Sequence, residues 1–476
     1  MLNGFEDRVV GATAEANAGS EPGAVRPASA PIAVPQANIL GPGGLPDAAP
    51  DAEYISLLNN GDSGNRIDIW FAGDGYTADD RDQLIADVQA QMDYLFGDVL
   101  GEPFGAYADY FNVHIVFPPS AERGADRPED GIYVDTALNA SYSWGGGVTR
   151  CLYFDTGLAF AAVDEVRPDG VDADMFFGVV NSDTYGGCGG SWAVYAAGVG
   201  IAGDLALHEI GHSYVGLADE YWTAGETHGG GEPWDVNVTT DPSGAKWSHW
   251  LGFDDGVLGP IGAFEGGYYS EFGIYRPTMD SKMRSLGRPF DAIAKEQFVL
   301  RFYEDVDPLD DWAFSTFNNF APGGLVDEYA FWLDTISDEI ISQEWSLDGA
   351  VIEGATGTAL SLGTLGLAPG TYTLSARAYD DTPLVRLDTD LLSQTVSWEV
   401  TLRYWAADGT DGADVLAGQD RNDRLDGGAG NDEIDGLGGD DLLLGGLGDD
   451  VLIGGAGTDL IEGGAGADVI YGDAWT

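Results

Sequence analysis

Residues 208–221 read HEIGHSYVGLADEY, and they hold two of the chain's five histidines. His208 and His212 stand at i and i+4, which on a helix sets two imidazoles one above the other on a single face. Two rings so placed can grip one zinc ion. Glu209 is rotated off that face, too close to bind the metal comfortably but able to take a proton from water held there. Zinc lowers the pKa of its water to about 7 and polarises a carbonyl. The three residues therefore predict a hydrolytic zinc centre with Glu209 as general base. The plain alternative is a helix carrying two exposed histidines and an acid. The apolar lead-in GDLAL, the glycine that follows and the acidic pair weigh against it.

Catalytic zinc needs a third protein ligand and one open position. The metzincin order is HExxHxxGxxH or HExxHxxGxxD, in which a glycine ends the helix and the third ligand follows it by three. Here Val215 takes the glycine's place, Gly216 comes one later, and Asp219 follows Gly216 by three. Asp219 is the expected third ligand, with Glu220 as its rival. His228 and His249 are more distant candidates.

These side chains need a scaffold. RIDIWFAG (66–73), FNVHIVF (111–117) and DMFFGVVNS (174–182) read as strands. Residues 77–97 have helical spacing, with Leu84, Val88, Met92 and Leu95 on one face and Thr77 or Asp79 as cap. NSDTYGGCGGSWAVYAAG is glycine-rich and extended, and IAGDLALHEIGHSYV reads as the helix of the centre. Alternation of this kind suggests an α/β or α+β domain. Residues 1–52 are rich in Ala, Gly and Pro without period, as in a disordered leader or propeptide. After Trp312, short alternating runs with Asp-Gly and Pro-Gly turns fit a small β-sandwich.

From Gly409 the chain repeats every nine residues through seven units. Asp fills the sixth place of each: Asp414, Asp423, Asp432, Asp441, Asp450, Asp459 and Asp468. Leu or Ile fills the eighth. Glycine turns, converging carbonyls and a carboxylate per unit suit calcium, and the aliphatic residues make a thin inward core. Two units per coil predict Asp432, Asp450 and Asp468 on one side and Asp423, Asp441 and Asp459 on the other. Without calcium the carboxylates repel, so the tail should be unfolded. Arg421 replaces a glycine of the second unit, which weakens Asp423 as a ligand.

The tail resembles the RTX, or haemolysin-type, calcium-binding repeats. That resemblance implies export through a type I secretion system and folding outside the cell. The stretches DIWFAGDGYTADD, PFGAYADYFNV, NSDTYGGCGGSWAVYAAG, HEIGHSYVGLADEY and GIYRPTMDSKMRS resemble the IgA-peptidase family of zinc metallopeptidases, a metzincin-like group. This resemblance implies an endopeptidase with one catalytic zinc and supports Asp219 as ligand. It also implies a methionine turn beneath the zinc at Met283, or Met279. A catalytic Tyr275 that stabilises the oxyanion is implied too, as is an edge strand within 186–198 that pairs with extended substrate.

The net charge is −60, from 80 acidic and 20 basic residues. Such a chain repels nucleic acid and anionic membranes, so neither is an expected partner. No run of eighteen apolar residues exists to span a bilayer, and the N-terminus lacks the pattern of a secretory signal. Cys151 and Cys188 exclude a disulfide-rich scaffold; one bridge between them and two reduced thiols both stay open.

The expected fold class is multidomain α+β. A leader over 1–52 precedes a metzincin-like metallopeptidase domain over 53–312, an Ig-like β-sandwich over 313–406 and an RTX parallel β-roll over 407–476. The expected function is a secreted, extracellular zinc endopeptidase acting on protein or peptide, with Zn²⁺ for catalysis and several Ca²⁺ for structure. The rivals are a calcium-dependent adhesin with an inactive peptidase domain and a zinc hydrolase of non-peptide bonds.

Overall fold

The computed structural model describes residues 51–97, 99–143, 148–317, 328–365, 367, 370–402, 405–420 and 422–473. Nearly all of the leader expected over 1–52 lies outside them, as does Arg421.

After β1 (Glu53–Leu58), the first expected strand forms as β2 (Ile67–Asp74). Thr77 opens the next helix: its amide and hydroxyl donate to Asp80 at 3.0 and 2.7 Å. A short 3-10 turn then runs into α1 (Arg81–Gly97), which buries Leu84, Val88, Met92 and Leu95 as their spacing requires. β3 (Phe111–Phe117), a small pair β4 (Ser141–Tyr142) and β5 (Leu152–Tyr153), α2 (Thr156–Val166), β6 (Met175–Val180), β7 (Gly187–Cys188), β8 (Ala193–Ala196) and α3 (Ala202–Ser213) follow. Six strands make one sheet in the order β1-β3-β2-β6-β8-β7. The inner four run parallel, and β1 and β7 pair antiparallel at the edges.

β2 explains the layering. All eight of its residues are buried, the mark of a strand covered on both faces. Ile67, Ile69 and Phe71 pack into the core that holds the buried faces of α1 and α3, while Trp70 and Ala72 pack with α2. Beyond α3, the strands β9 (Trp222–Thr227), β10 (Phe264–Gly267) and β11 (Tyr269–Arg276) form a separate sheet in the order β10-β11-β9. α4 (Ala292–Asp305) joins the α1/α3 core through Phe298, Val299 and Phe302.

Among the described residues the next seven strands are β12 (Leu309–Phe317), β13 (Glu328–Thr335), β14 (Ile341–Leu347), β15 (Ala350–Val351), β16 (Ala359–Ser361), β17 (Gly370–Asp380) and β18 (Ser393–Leu402). They form two antiparallel sheets, β12-β13-β16 and β15-β14-β17-β18. Trp345 and Trp398 stack at 5.9 Å between centroids in their shared core. The first strand starts at Leu309, slightly ahead of Trp312, where the sequence texture changes. This unit is docked onto the N-terminal one. Their apolar cores are continuous, and Tyr107 and Tyr303 both donate to Asp380 Oδ2, at 2.7 and 3.0 Å. Arg66 grips Asp310 with two nitrogens, at 2.6 and 2.7 Å.

The repeats coil as expected. β19 (Trp405–Asp408), β20 (Val415–Ala417), β21 (Asp423–Asp426), β22 (Glu433–Asp435), β23 (Leu442–Leu447), β24 (Val451–Gly455), β25 (Leu460–Ala465) and β26 (Val469–Asp473) alternate between two parallel sheets. Leu425, Ile434, Leu443 and Leu452 are fully buried between the sheets, with Leu416 and Ile461 packed against them. Ile470, in the last strand, is 48% exposed because no later coil of the described residues covers it. β19 lies ahead of the first Gly–Asp unit yet pairs with β21, so the coil starts earlier than its motif. Close stacking demands glycine here: Gly448 has φ +129°, and a Cβ on it would strike the Gly430 carbonyl one coil back.

Candidate metal centre

α3 presents its apolar residues Leu205, Ala206, Leu207 and Ile210 to the core, which leaves His208 and His212 on the opposite, partly open face. Each imidazole is aimed by a carbonyl. His208 Nδ1 donates to Lys282 O at 3.1 Å, and His212 Nδ1 donates to Leu217 O at 2.6 Å. A carbonyl can only accept, so both Nδ1 atoms carry the hydrogen and both Nε2 atoms can turn lone pairs outward. The Nε2 atoms lie 3.2 Å apart.

Asp219 completes the cluster. Gly216, at φ +65°, adopts the left-handed conformation that ends the helix, and Leu217 N donates back to Gly211 O at 2.8 Å. The chain then runs extended, so adjacent side chains point to opposite sides. Asp219 Oδ1 comes within 3.2 Å of His208 Nε2 and 3.3 Å of His212 Nε2. Glu220 turns the other way, fully buried, and accepts from Asn237 Nδ2 at 3.0 Å and Ser281 Oγ at 2.6 Å. His208, His212 and Asp219 are the group of potential metal ligands found among the described residues. His228 bonds Gly231 O at 3.0 Å, and His249 bonds Glu296 at 2.7 Å; neither joins the cluster.

These residues fit a cation. Two ligands about 2.0–2.1 Å from a tetrahedral zinc sit about 3.3–3.4 Å apart. The three separations here are 3.2, 3.2 and 3.3 Å. Asp219 Oδ1 is buried and has no ordinary hydrogen-bond partner. Its other oxygen is held by Tyr221 Oη at 2.8 Å and by Tyr269 Oη. Burial alone would push the His212 imidazolium down, but the Asp219 carboxylate outweighs it and holds the ring's pKa up at about 9. A metal competing for that nitrogen would release the proton.

Glu209 is buried beside the cluster, in a wall built by β7. A Cβ on Gly187 would sit 3.0 Å from Glu209 Oε1, and one on Gly189 would sit 2.8 Å from His212 Cβ. Only glycine lets this strand approach so closely. β7 is the outer edge of the large sheet, where the resemblance placed a strand able to pair with substrate. Cys188 within it is disulfide-bonded to Cys151, which closes the question the sequence left open.

Met283 lies below α3, 1% exposed, with Sδ 2.8 Å from where a Cβ on Gly211 would be. Met279 is 55% exposed. The segment Ser281–Met283 thus supplies the floor, the carbonyl that orients His208 and, through Met283 O, an acceptor for Glu220 N at 2.9 Å. It is anchored by Lys282 Nζ, which is buried and ion-paired with Asp204 of α3. Lys282→Ala strands that carboxylate and is expected to destabilise the peptidase domain by about 3–5 kcal/mol, read by thermal or denaturant unfolding. An unfolding midpoint equal to wild type would show the pair to be dispensable.

Tyr275 lies on β11 and pairs through its backbone with Thr239. Among the described contacts its side chain makes none with the cluster. The tyrosines that reach Asp219 are Tyr221 and Tyr269. Tyr221 had a signal: two residues after Asp219 in an extended run, it shares Asp219's side. Tyr269 had none, because it arrives from a strand fifty residues away.

In the roll, the sixth-place aspartates form the two expected ladders. From Asp432 onward, Oδ1 of each accepts the amide of the aspartate eighteen residues before it: Asp432 from Asp414 at 2.8 Å, Asp450 from Asp432 at 2.9 Å, Asp468 from Asp450 at 3.1 Å, Asp441 from Asp423 at 2.8 Å and Asp459 from Asp441 at 3.0 Å. Oδ2 of Asp432, Asp441, Asp450 and Asp459 is buried without a hydrogen-bond partner. Glycine carbonyls crowd alongside, as Gly463 O does beside Asp450. Oxygen atoms gathered this way suit calcium. Asp414 differs, since Thr410 already donates twice to its Oδ2, at 2.6 and 2.9 Å.

The catalytic layout and the coil define the class: a peptidase domain followed by calcium-binding repeats. Residues 55–260 match the family model of IgA Peptidase M64, a family of metallopeptidases, which bears out the resemblance seen in the sequence. Residues 408–443 and 444–474 match the model of the RTX calcium-binding nonapeptide repeat. No curated protein matches the chain.

Proposed function

We propose that the chain is a secreted zinc-dependent endopeptidase of metzincin-like design, steadied by calcium in its repeats. The observation that carries this reading is the cluster itself: three donor atoms at tetrahedral-zinc spacing, two of them with tautomers set by carbonyls. Bound zinc would supply the Lewis acidity that activates water and the scissile carbonyl. The rest is work for the chain's own residues. The Glu209 carboxylate takes the proton of the attacking water and hands it to the nitrogen of the leaving amine. Tyr221 and Tyr269 hold Asp219 so that Oδ1 faces the imidazoles. Gly187 N of β7 is already engaged by Arg150 O at 3.2 Å, so main-chain pairing with an extended peptide, which tolerates many sequences, falls to the rest of the 186–198 stretch.

Secretion is supported by the repeats and by the Cys151–Cys188 bridge, a bond that persists in oxidising surroundings. No helix among the described residues is long and apolar enough to cross a membrane. We read the seven-stranded unit as an Ig-like sandwich that braces the peptidase domain. The domain limits follow the sequence reading, 53–312, 313–406 and 407–476, with a leader over 1–52. Immunoglobulin A, named by the matched family, is one protein to test among others.

Metal analysis tests the ligand set. Asp219→Ala is expected to weaken zinc binding more than about 100-fold, since even outer contacts to ligands cost 10–100-fold. Glu220→Ala should retain one equivalent. The reverse pattern would make Glu220 the ligand. Casein cleavage that a zinc chelator does not stop would remove the metallopeptidase reading and favour an adhesin or another hydrolase.

A further inference from the structure

We propose that Arg150 is a specificity-determining residue of this site and binds an acidic side chain of the substrate close to the scissile bond; this rests on the peptidase reading above. Arg150 is exposed, yet tied to the metal cluster from two directions. Its Nη2 donates to Tyr221 Oη at 3.0 Å, and Tyr221 Oη donates to Asp219 Oδ2 at 2.8 Å. The guanidinium also lies 5.4 Å from the Tyr221 ring centroid. On the other side, Arg150 O accepts from Gly187 N at 3.2 Å, on the strand that walls Glu209. The neighbouring Cys151 is bonded to Cys188 of that same strand. Arg150 is therefore held at the rim between the general base, the ligand carboxylate and the edge strand.

Among the described residues its charge has no carboxylate partner. Arg66, Arg81, Arg123, Arg288, Arg301 and Arg424 each pair with a carboxylate, whereas Arg276 and Arg284 donate to main-chain carbonyls and Arg377 and Arg386 lie over aromatic rings. Among the described residues no carboxylate lies within ion-pair distance of Arg150, although acids outnumber bases 80 to 20. A guanidinium carries five N–H donors in a planar fork, and Tyr221 takes one. The fork that remains fits a carboxylate bidentately. The main-chain edge of β7 cannot read side chains, so a selective contact next to it must come from a group such as this one.

The test uses the full chain with calcium and zinc, and peptides that differ only by Glu or Gln at each position flanking the cleaved bond. At one position the wild type should favour Glu about tenfold or more in kcat/KM, the range of a charge-assisted hydrogen bond. Arg150→Gln should bring that ratio near one, the Glu peptide losing about tenfold or more relative to the Gln peptide cleaved by the same variant. Arg150→Glu should turn the preference toward Lys. Dissociation constants measured by fluorescence anisotropy on Glu209→Gln, with and without Arg150→Gln, should show the same ratio without turnover. A Glu/Gln ratio unaltered by Arg150→Gln, or an equal loss for both peptides, would overturn the assignment while leaving the peptidase intact. A wild type with no chelator-sensitive cleavage would overturn both.

Discussion

Glu209→Gln is expected to lower kcat/KM about 10²- to 10⁴-fold, the usual contribution of a general base, with zinc content unchanged. The reasoning is geometric. Glutamine has nearly the same shape, so the wall formed by Gly187 and Gly189 still closes over it. The two imidazoles and Asp219 Oδ1 are untouched, because Glu209 is not part of their cluster. What disappears is a carboxylate oxygen able to accept a proton. Burial raises the Glu209 pKa above its ordinary value. A carboxylate whose pKa is raised takes and returns protons more effectively than an ordinary glutamate. Steady-state kinetics beside metal analysis would check this. A variant that keeps more than a tenth of the wild-type rate would mean that another group is the base.

Calcium removal is expected to have the second largest effect: loss of ordered structure across the repeats. The aliphatic core of the coil is one residue wide, with Leu425, Ile434, Leu443 and Leu452 at its centre. Against it stand the buried carboxylates. Burial pushes the Asp441 carboxyl up to about 7, and the charges of Asp423 and Asp459 add to the strain. A bound cation reverses that sign. Each site at hundredfold saturation would add about 2.7 kcal/mol. In a calcium chelator the far-ultraviolet circular dichroism should lose the β signal of the repeats, and protease should trim the chain near residue 405. The four inner aspartates, with their unpartnered Oδ2 atoms, should matter most. Asp450→Ala should therefore raise the calcium midpoint more than Asp414→Ala, whose Oδ2 is already engaged by Thr410. An unaltered spectrum in chelator would show that the coil stands without metal.

Much of this was legible in the chain. The i, i+4 histidines lie on one helical face because helix geometry is local, and the nine-residue period writes the coil directly into the sequence. The 77–97 helix and the 111–117 strand were equally local, set by apolar spacing. The spacing from Gly216 favoured Asp219 over Glu220 but left the rival open. Both are acids at neighbouring positions, and only the extended path after Gly216, with Asn237 and Ser281 waiting for Glu220, sends one to the imidazoles and the other into the protein. Met283 was likewise preferred over Met279 in the sequence, and its burial under α3 separates the two.

Composition and spacing alone determined that a helix would carry paired imidazoles with an acid beside them, and that the tail would coil around aspartates. Those are short-range facts, complete within a dozen residues. Tertiary structure decided what surrounds them: that Asp219 joins the rings, which tyrosines steady it, and which glycine strand walls Glu209. It also brought an exposed arginine to the rim. Contacts between residues fifty or more positions apart depend on how sheets and loops pack, and no local pattern records them.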